Sequence, residues 1–148
     1  MNNAKEYFEE LRRQINHLED IKDELTDLWN LATGLKAVSY ETKEGVSGSI
    51  NNRSPQEKYL MPIIQKEAEQ EKAYMQACKM LSQAWEFMQI LTDREREVLR
   101  NTYILGYQDK ESAELMSIEP NSVLCLRRYA LIKLDNSHVF STYLSQDK

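Results

Sequence analysis

The sequence predicts an all-α fold: a long amino-terminal helical hairpin or coiled coil, followed by a carboxyl-terminal module of three short helices. Three observations carry this. Apolar residues recur at alternating steps of three and four over two long stretches, the period of helices packed side by side. Only four glycines and three prolines occur in 148 residues, too few for the many tight turns of an all-β chain. Residues 91–134 then break into three short helical segments at two points, Gly106-Tyr107-Gln108 and Ser117-Ile118-Glu119-Pro120.

The first helix is expected over 4–33. Phe8, Leu11, Ile15, Leu18, Leu25, Trp29 and Ala32 form its seam, interrupted at Lys22 with Ile21 beside it, and charged residues take the opposite side. A stripe this narrow needs a partner helix, from the same chain or from another copy. Gly34 stands where a left-handed helix end favours glycine. Residues 34–54 are rich in Gly, Ser and Asn and show no period, which reads as a mobile linker, a hinge or a partner-binding arm.

Ser54-Pro55-Gln56-Glu57 starts a second long helix, with Ser54 as cap and Pro55 at the first helical position. It runs to about Ile90, and Pro62 is expected to kink it or delay its regular start. Its large apolar residues, Leu60, Ile64, Tyr74, Cys78, Leu81, Trp85 and Met88, fall on one stripe with Glu67 and Glu71 in the middle. Pairing the two helices as a hairpin is expected to bury Trp29 and Trp85. The organisation is thus a helical region over 1–90 with a flexible loop at 34–54, a compact module over 91–134 and a polar tail over 135–148.

Within the module, Thr92 and Glu95 have the spacing of a reciprocal helix cap, with Leu91 as a hydrophobic staple. That helix is expected to run to about Leu105, burying Val98, Leu99 and Tyr103. Asp109 is expected to cap the second helix, which offers Ala113, Leu115 and Met116 for packing. Pro120 opens the third. There Val123, Leu126, Ala130 and Leu134 share the core side, while Asn121, Cys125, Arg128 and Ile132 share the other, flanked by Ser122, Leu124 and Tyr129.

This arrangement reads as a helix-turn-helix and resembles the fourth region of bacterial sigma factors. The matching residues include Arg94, Glu95, Val98, Leu99, Gly106, Ala113, Ile118, Val123, Leu126, Arg127, Arg128, Ala130, Leu131, Lys133 and Leu134. The larger layout is similar to small phage ArpU/RinA-type late transcription regulators. The chain departs from the family at four places: Ser117 for a turn glycine, Glu119 for a serine cap, Pro120 for an arginine, and Ser112 for an apolar residue.

The resemblance implies a phage or prophage-type transcriptional regulator that binds promoter DNA in a bacterial host cytoplasm. The candidate DNA-binding residues are Asn121, Ser122, Leu124, Cys125, Arg127, Arg128 and Lys133. Asn121 has the amide for adenine and Arg128 the fork for guanine or a phosphate, while Ser122 and Arg127 suit backbone phosphates. Ordinary roles compete: Asn121 and Ser122 can simply stabilise a first helical turn, and Arg128 can be a solvated charge. Outward Cys125, Leu124 and Ile132 suit a protein partner instead. The alternative is therefore a non-enzymatic adaptor that docks on RNA polymerase or another host protein without binding DNA.

Charge sets the strength of any DNA contact. The formal net charge is −5, and the acidic excess lies mainly in residues 1–91, leaving 92–134 balanced. Nucleic-acid affinity must come from a local basic face and be salt-sensitive, with self-association through the helical region compensating. No phosphate loop, metalloprotease helix or nucleophile elbow occurs, so no enzyme, metal or cofactor is expected. Two widely spaced cysteines, Cys78 and Cys125, read as reduced and partly buried. No run is apolar enough for a membrane span or a signal-peptide core, so a soluble protein without a membrane partner is expected.

Overall fold

The computed structural model describes residues 2–34 and 55–146, with the side chains of 55 and 56 excepted. Every regular element among them is helical: α1 (Ala4–Thr33), α2 (Pro55–Met88), α3 (Asp93–Leu99), α4 (Asp109–Met116), α5 (Pro120–Asp135) and α6 (His138–Gln146). A π-helical turn, Arg100–Ile104, continues α3. Of the linker read at 34–54, residues 35–54, the Ser54 cap included, lie outside the described residues. Two compact units are distinguished, residues 16–75 and residues 1–15 with 76–148.

In the unit formed by 16–75, α1 and α2 pair antiparallel, as the ion pair of Glu24 with Lys66 and the approach of His17 to Glu69 require. Ile21, Leu25 and Ala32 of α1 are buried against Ile63 and Ala73 of α2, with Leu18, Leu28 and Tyr59 at the margin. Helical pairing is as the sequence predicts, and Leu18, Leu25 and Ala32 stand on the expected stripe, but Trp29 does not. Ile21 is buried where Lys22 held the expected stripe, and Leu28 faces inward where Trp29 was expected. Trp29 is 47% exposed. At Lys22 the seam steps aside to Ile21, which keeps an ammonium out of it.

The other unit is built on Tyr7, Phe8 and Leu11 of α1, Ala77, Met80, Ala84, Phe87 and Met88 of α2, and residues of the following helices. On α2 the inward positions along the helix are Ile63, Ala73, Ala77, Met80, Ala84 and Phe87. Weighting large side chains missed this seam because its alanines carry little hydrophobic signal, yet they let helices approach closely. Trp85 is consequently outward, 59% exposed, and the expected burial of both tryptophans is overturned.

Tyr7 is fully buried and donates its phenolic proton to the Met80 carbonyl at 2.8 Å. Its ring meets Phe87 edge-on at 5.2 Å and Phe140 at 6.2 Å. Phe140 belongs to α6, within the stretch read as a polar tail. Residues 138–146 form a helix because Phe140, Tyr143 and Leu144, at three and four spacing, supply an apolar edge to the core. Ser137 caps it, accepting the Phe140 amide at 3.2 Å.

Three smaller expectations also change. Gly34 follows α1 but does not adopt the left-handed conformation; among the described glycines only Gly106 does, at φ 74°. α2 starts at Pro55, as predicted, and runs through Pro62 as one element, so Pro62 does not delay its regular start. Both cysteines are reduced but exposed rather than partly buried. No helix among the described residues is long and apolar enough to cross a membrane.

Candidate functional site

The candidate site is the outer face of α5, and α3, α4 and the π turn hold it in place. α3 begins as the sequence predicts. Thr92 Oγ1 accepts the Glu95 amide at 3.3 Å, and Leu91 is buried beneath. The Glu95 carboxylate does not reach back to the backbone. It takes the Thr92 hydroxyl at 3.1 Å and the Lys133 ammonium at 2.9 Å. Glu95 is 7% exposed with one oxygen unpaired, so Lys133 compensates a desolvated charge.

After Leu99 the helix widens. The Leu105 amide bonds back five residues to the Arg100 carbonyl at 2.9 Å. The added residue per turn sets Asn101 and Tyr103 inward together. Asn101 donates to Ser112 Oγ at 3.1 Å in a fully buried contact. Ser112, where the sigma pattern has an apolar residue, therefore joins α4 to the turn by a hydrogen bond instead. Neither partner was singled out as a pair, because eleven residues of separation give no local signal. Arg12 of α1 closes the same corner, donating to the Ile104 carbonyl at 2.8 Å over Gly106.

α4 is preceded by Gln108, which makes no side-chain cap; the expected cap, Asp109, is its first residue. Ala113 is buried and Met116 partly so, whereas Leu115 is 62% exposed and does not pack. The connection to α5 is tight. Ser117 takes a left-handed conformation, φ 56°, and the Ile118 amide returns to the Ala113 carbonyl at 3.1 Å. Ser117 and Ile118 thus satisfy the helix end in the Schellman pattern that glycine usually makes. Glu119 stands at the cap position without a side-chain bond, and Pro120 starts α5.

Val123 of α5 is buried with Val98 and Ala113, and Ala130, Leu131 and Leu134 enter the larger core. That anchors one face. On the other, Asn121, Ser122, Cys125 and Arg128 are exposed and Leu124 is half-buried. Tyr129 and Ile132 are 68% and 57% exposed on the same side. Arg94 from α3 opens onto a shallow groove with Asn121, Ser122, Cys125 and Tyr129. The sequence reading holds Arg94 only as a match to the sigma pattern; its position beside α5 follows from the packing of α3 on α5, which no local pattern encodes.

Two of the seven candidates have internal partners. Arg127 forks onto Asp109, with Nη2 3.3 Å from Oδ2 and Nη1 bonded to Oδ1, and its side chain is 18% exposed. Lys133 is held by Glu95. These two act on α3 and α4, while Asn121, Ser122, Cys125 and Arg128 lie toward solvent and Leu124 is half-buried. Burial holds the Tyr103 phenol above its ordinary value, the nearby Arg127 charge acting in the opposite sense. Among the described residues no group of three or more metal-ligating side chains gathers. The site offers amide, hydroxyl and guanidinium groups on the solvent face of a helix whose other face is packed in the core, a surface suited to binding.

Comparison with known protein families, with curated proteins and with solved structures finds no match to this chain.

Proposed function

We propose that this chain is a non-enzymatic transcriptional regulator of the phage or prophage type that reads promoter DNA through α5, with α4 and α5 acting as a helix-turn-helix. One observation carries the reading. α5 is anchored on one face by Val123, Ala130 and Leu134, and holds Asn121, Ser122, Cys125 and Arg128 in solvent on the other. A helix seated in the major groove needs that division, with its first two turns at the base edges. Asn121 reads adenine, Arg128 reads guanine or a phosphate, and Ser122 and Arg94 hold the backbone.

Affinity of one copy is low, because residues 92–134 are balanced in charge and Arg127 and Lys133 are neutralised by Asp109 and Glu95. Self-association raises it by joining two half-sites. The test is enrichment of a randomised duplex pool on the immobilised full chain. The reading expects a recurring sequence motif whose retention falls as salt rises. A pool that stays random, with no salt-dependent retention, counts against it.

A second reading has its own support. Tyr129 and Ile132 are large, apolar and more than half exposed beside Cys125 on α5, a combination that favours a protein partner such as RNA polymerase. Tyr129→Ala with Ile132→Lys separates the two. Loss of polymerase capture with DNA enrichment unchanged makes this patch the docking surface.

A further inference from the structure

We infer that the outer face of α3 is a self-complementary surface on which a second copy of the chain docks antiparallel. Asp93, Arg96, Glu97 and Arg100 fall within about 100° of the helix circumference. All four line a groove of about 460 Å³ that Trp85 also borders. Trp85 is 59% exposed there. Asp93 pairs with Arg96 inside the chain, yet its side chain stays 95% exposed and open to a second cation. Among the described residues Glu97 and Arg100 have no ion-pair partner. α3 turns its opposite side, Glu95, Val98 and Leu99, into the core, so this is the side the fold leaves uncovered. The whole surface belongs to one compact unit, 1–15 with 76–148.

Charge selects the occupant and its direction. Along the face the signs run acid, base, acid, base at 93, 96, 97 and 100, and read backward they run base, acid, base, acid. A second α3 lying antiparallel, centred between Arg96 and Glu97, therefore sets Asp93 against Arg100 and Arg96 against Glu97, each twice. A two-fold pair needs that self-matching of one surface. A parallel copy in register sets every charge against its like, which repels. A parallel copy shifted by one turn matches two pairs rather than four and does not close on itself. DNA is a poor occupant, because the face is neutral and its carboxylates repel phosphate. Exposed ion pairs add little affinity each but fix partner and register, while the two Trp85 side chains supply apolar area to cover. The inference names a surface for the self-association that the DNA reading draws on, and its tests use no nucleic acid, so either can fail alone.

The test is the mass of the full chain by light scattering at about 100 µM. The wild type is expected at twice 17.4 kDa. Asp93→Arg and Arg100→Glu each set like charges together at both ends of the pair, and each alone is expected at the single-chain mass. Both side chains are exposed in one copy, so helicity stays unchanged. Mixed in equal amounts, the two variants match at both ends, and the mixture is expected to recover the double mass. Glu97→Lys, which leaves the start of α3 untouched, is expected to give the single-chain mass as well. A monomeric wild type overturns the inference. So do charge-reversed chains that stay dimeric alone, and a mixture that stays at the single-chain mass.

Discussion

Ser117 holds a backbone conformation that costs any residue with a Cβ, φ 56°, and it does so to turn α4 into α5 within three residues. Replacing it with glycine is expected to add about 0.5–1 kcal/mol and raise the melting temperature by about 2–3 °C, leaving helicity unchanged. A serine that stabilised the turn through its side chain would reverse that sign. Gly106 behaves oppositely. At φ 74° it lies under the Arg12 guanidinium, and a Cβ there meets the Arg12 side chain at 2.7 Å. The glycine was legible as a helix stop, but not as the seat for an arginine ninety-four positions earlier. Tyr103 gives a residue-level pH dependence. Its raised phenol favours the neutral form in the fold, so its stabilisation is complete below about pH 10 and is lost as pH rises through the raised value. The difference in urea midpoint between wild type and Tyr103→Phe is expected to be constant below about pH 10 and to change above it, the wild type losing stability, because the variant has no proton to lose; a wild type that tracks the variant at every pH contradicts this.

At the level of elements, the sequence announced helices well and their rotation less well. Thr92, Leu91, Gly106 and Pro120 mark ends by local chemistry, and each stands where its chemistry predicts. The seam of α2 was misread by one position because Trp85 and Leu60 outweigh Ala84 and Ala77 in any hydrophobic pattern, whereas close packing prefers the alanines. α6 was hidden by its serines and threonine, though Phe140, Tyr143 and Leu144 already had helical spacing. Phe140→Ala is expected to cost about 3–5 kcal/mol by chemical denaturation, since the ring is 1% exposed among Tyr7, Phe87 and Tyr143. A loss below about 1 kcal/mol would make the helix a loosely held tail. The Asn101–Ser112 bond is tested as a pair. Ser112→Ala alone strands a buried amide and is expected to cost about 1–3 kcal/mol. Once Asn101→Ala is present the same change should cost clearly less, a coupling of about 1 kcal/mol in a double-mutant cycle.

For the whole molecule, the DNA proposal draws on the outward face of α5. The candidate residues were partly legible. Asn121, Ser122, Cys125 and Arg128 are solvent-facing as helical geometry implies, while Arg127 and Lys133 are committed to carboxylates on α4 and α3 that lie 18 and 38 positions away. Periodicity says which face a side chain takes, not which distant acid will meet it. Arg128 is therefore the cation on α5 without such a commitment in the account, and the proposal depends on it most. The decisive measurement is the affinity of the full chain for its enriched duplex, by fluorescence anisotropy at two salt concentrations, for wild type and Arg128→Ala. Wild-type binding is expected to weaken with salt, and the variant to lose about 5–150-fold in affinity with an unchanged melting temperature. Full affinity in Arg128→Ala at both salt concentrations would contradict it.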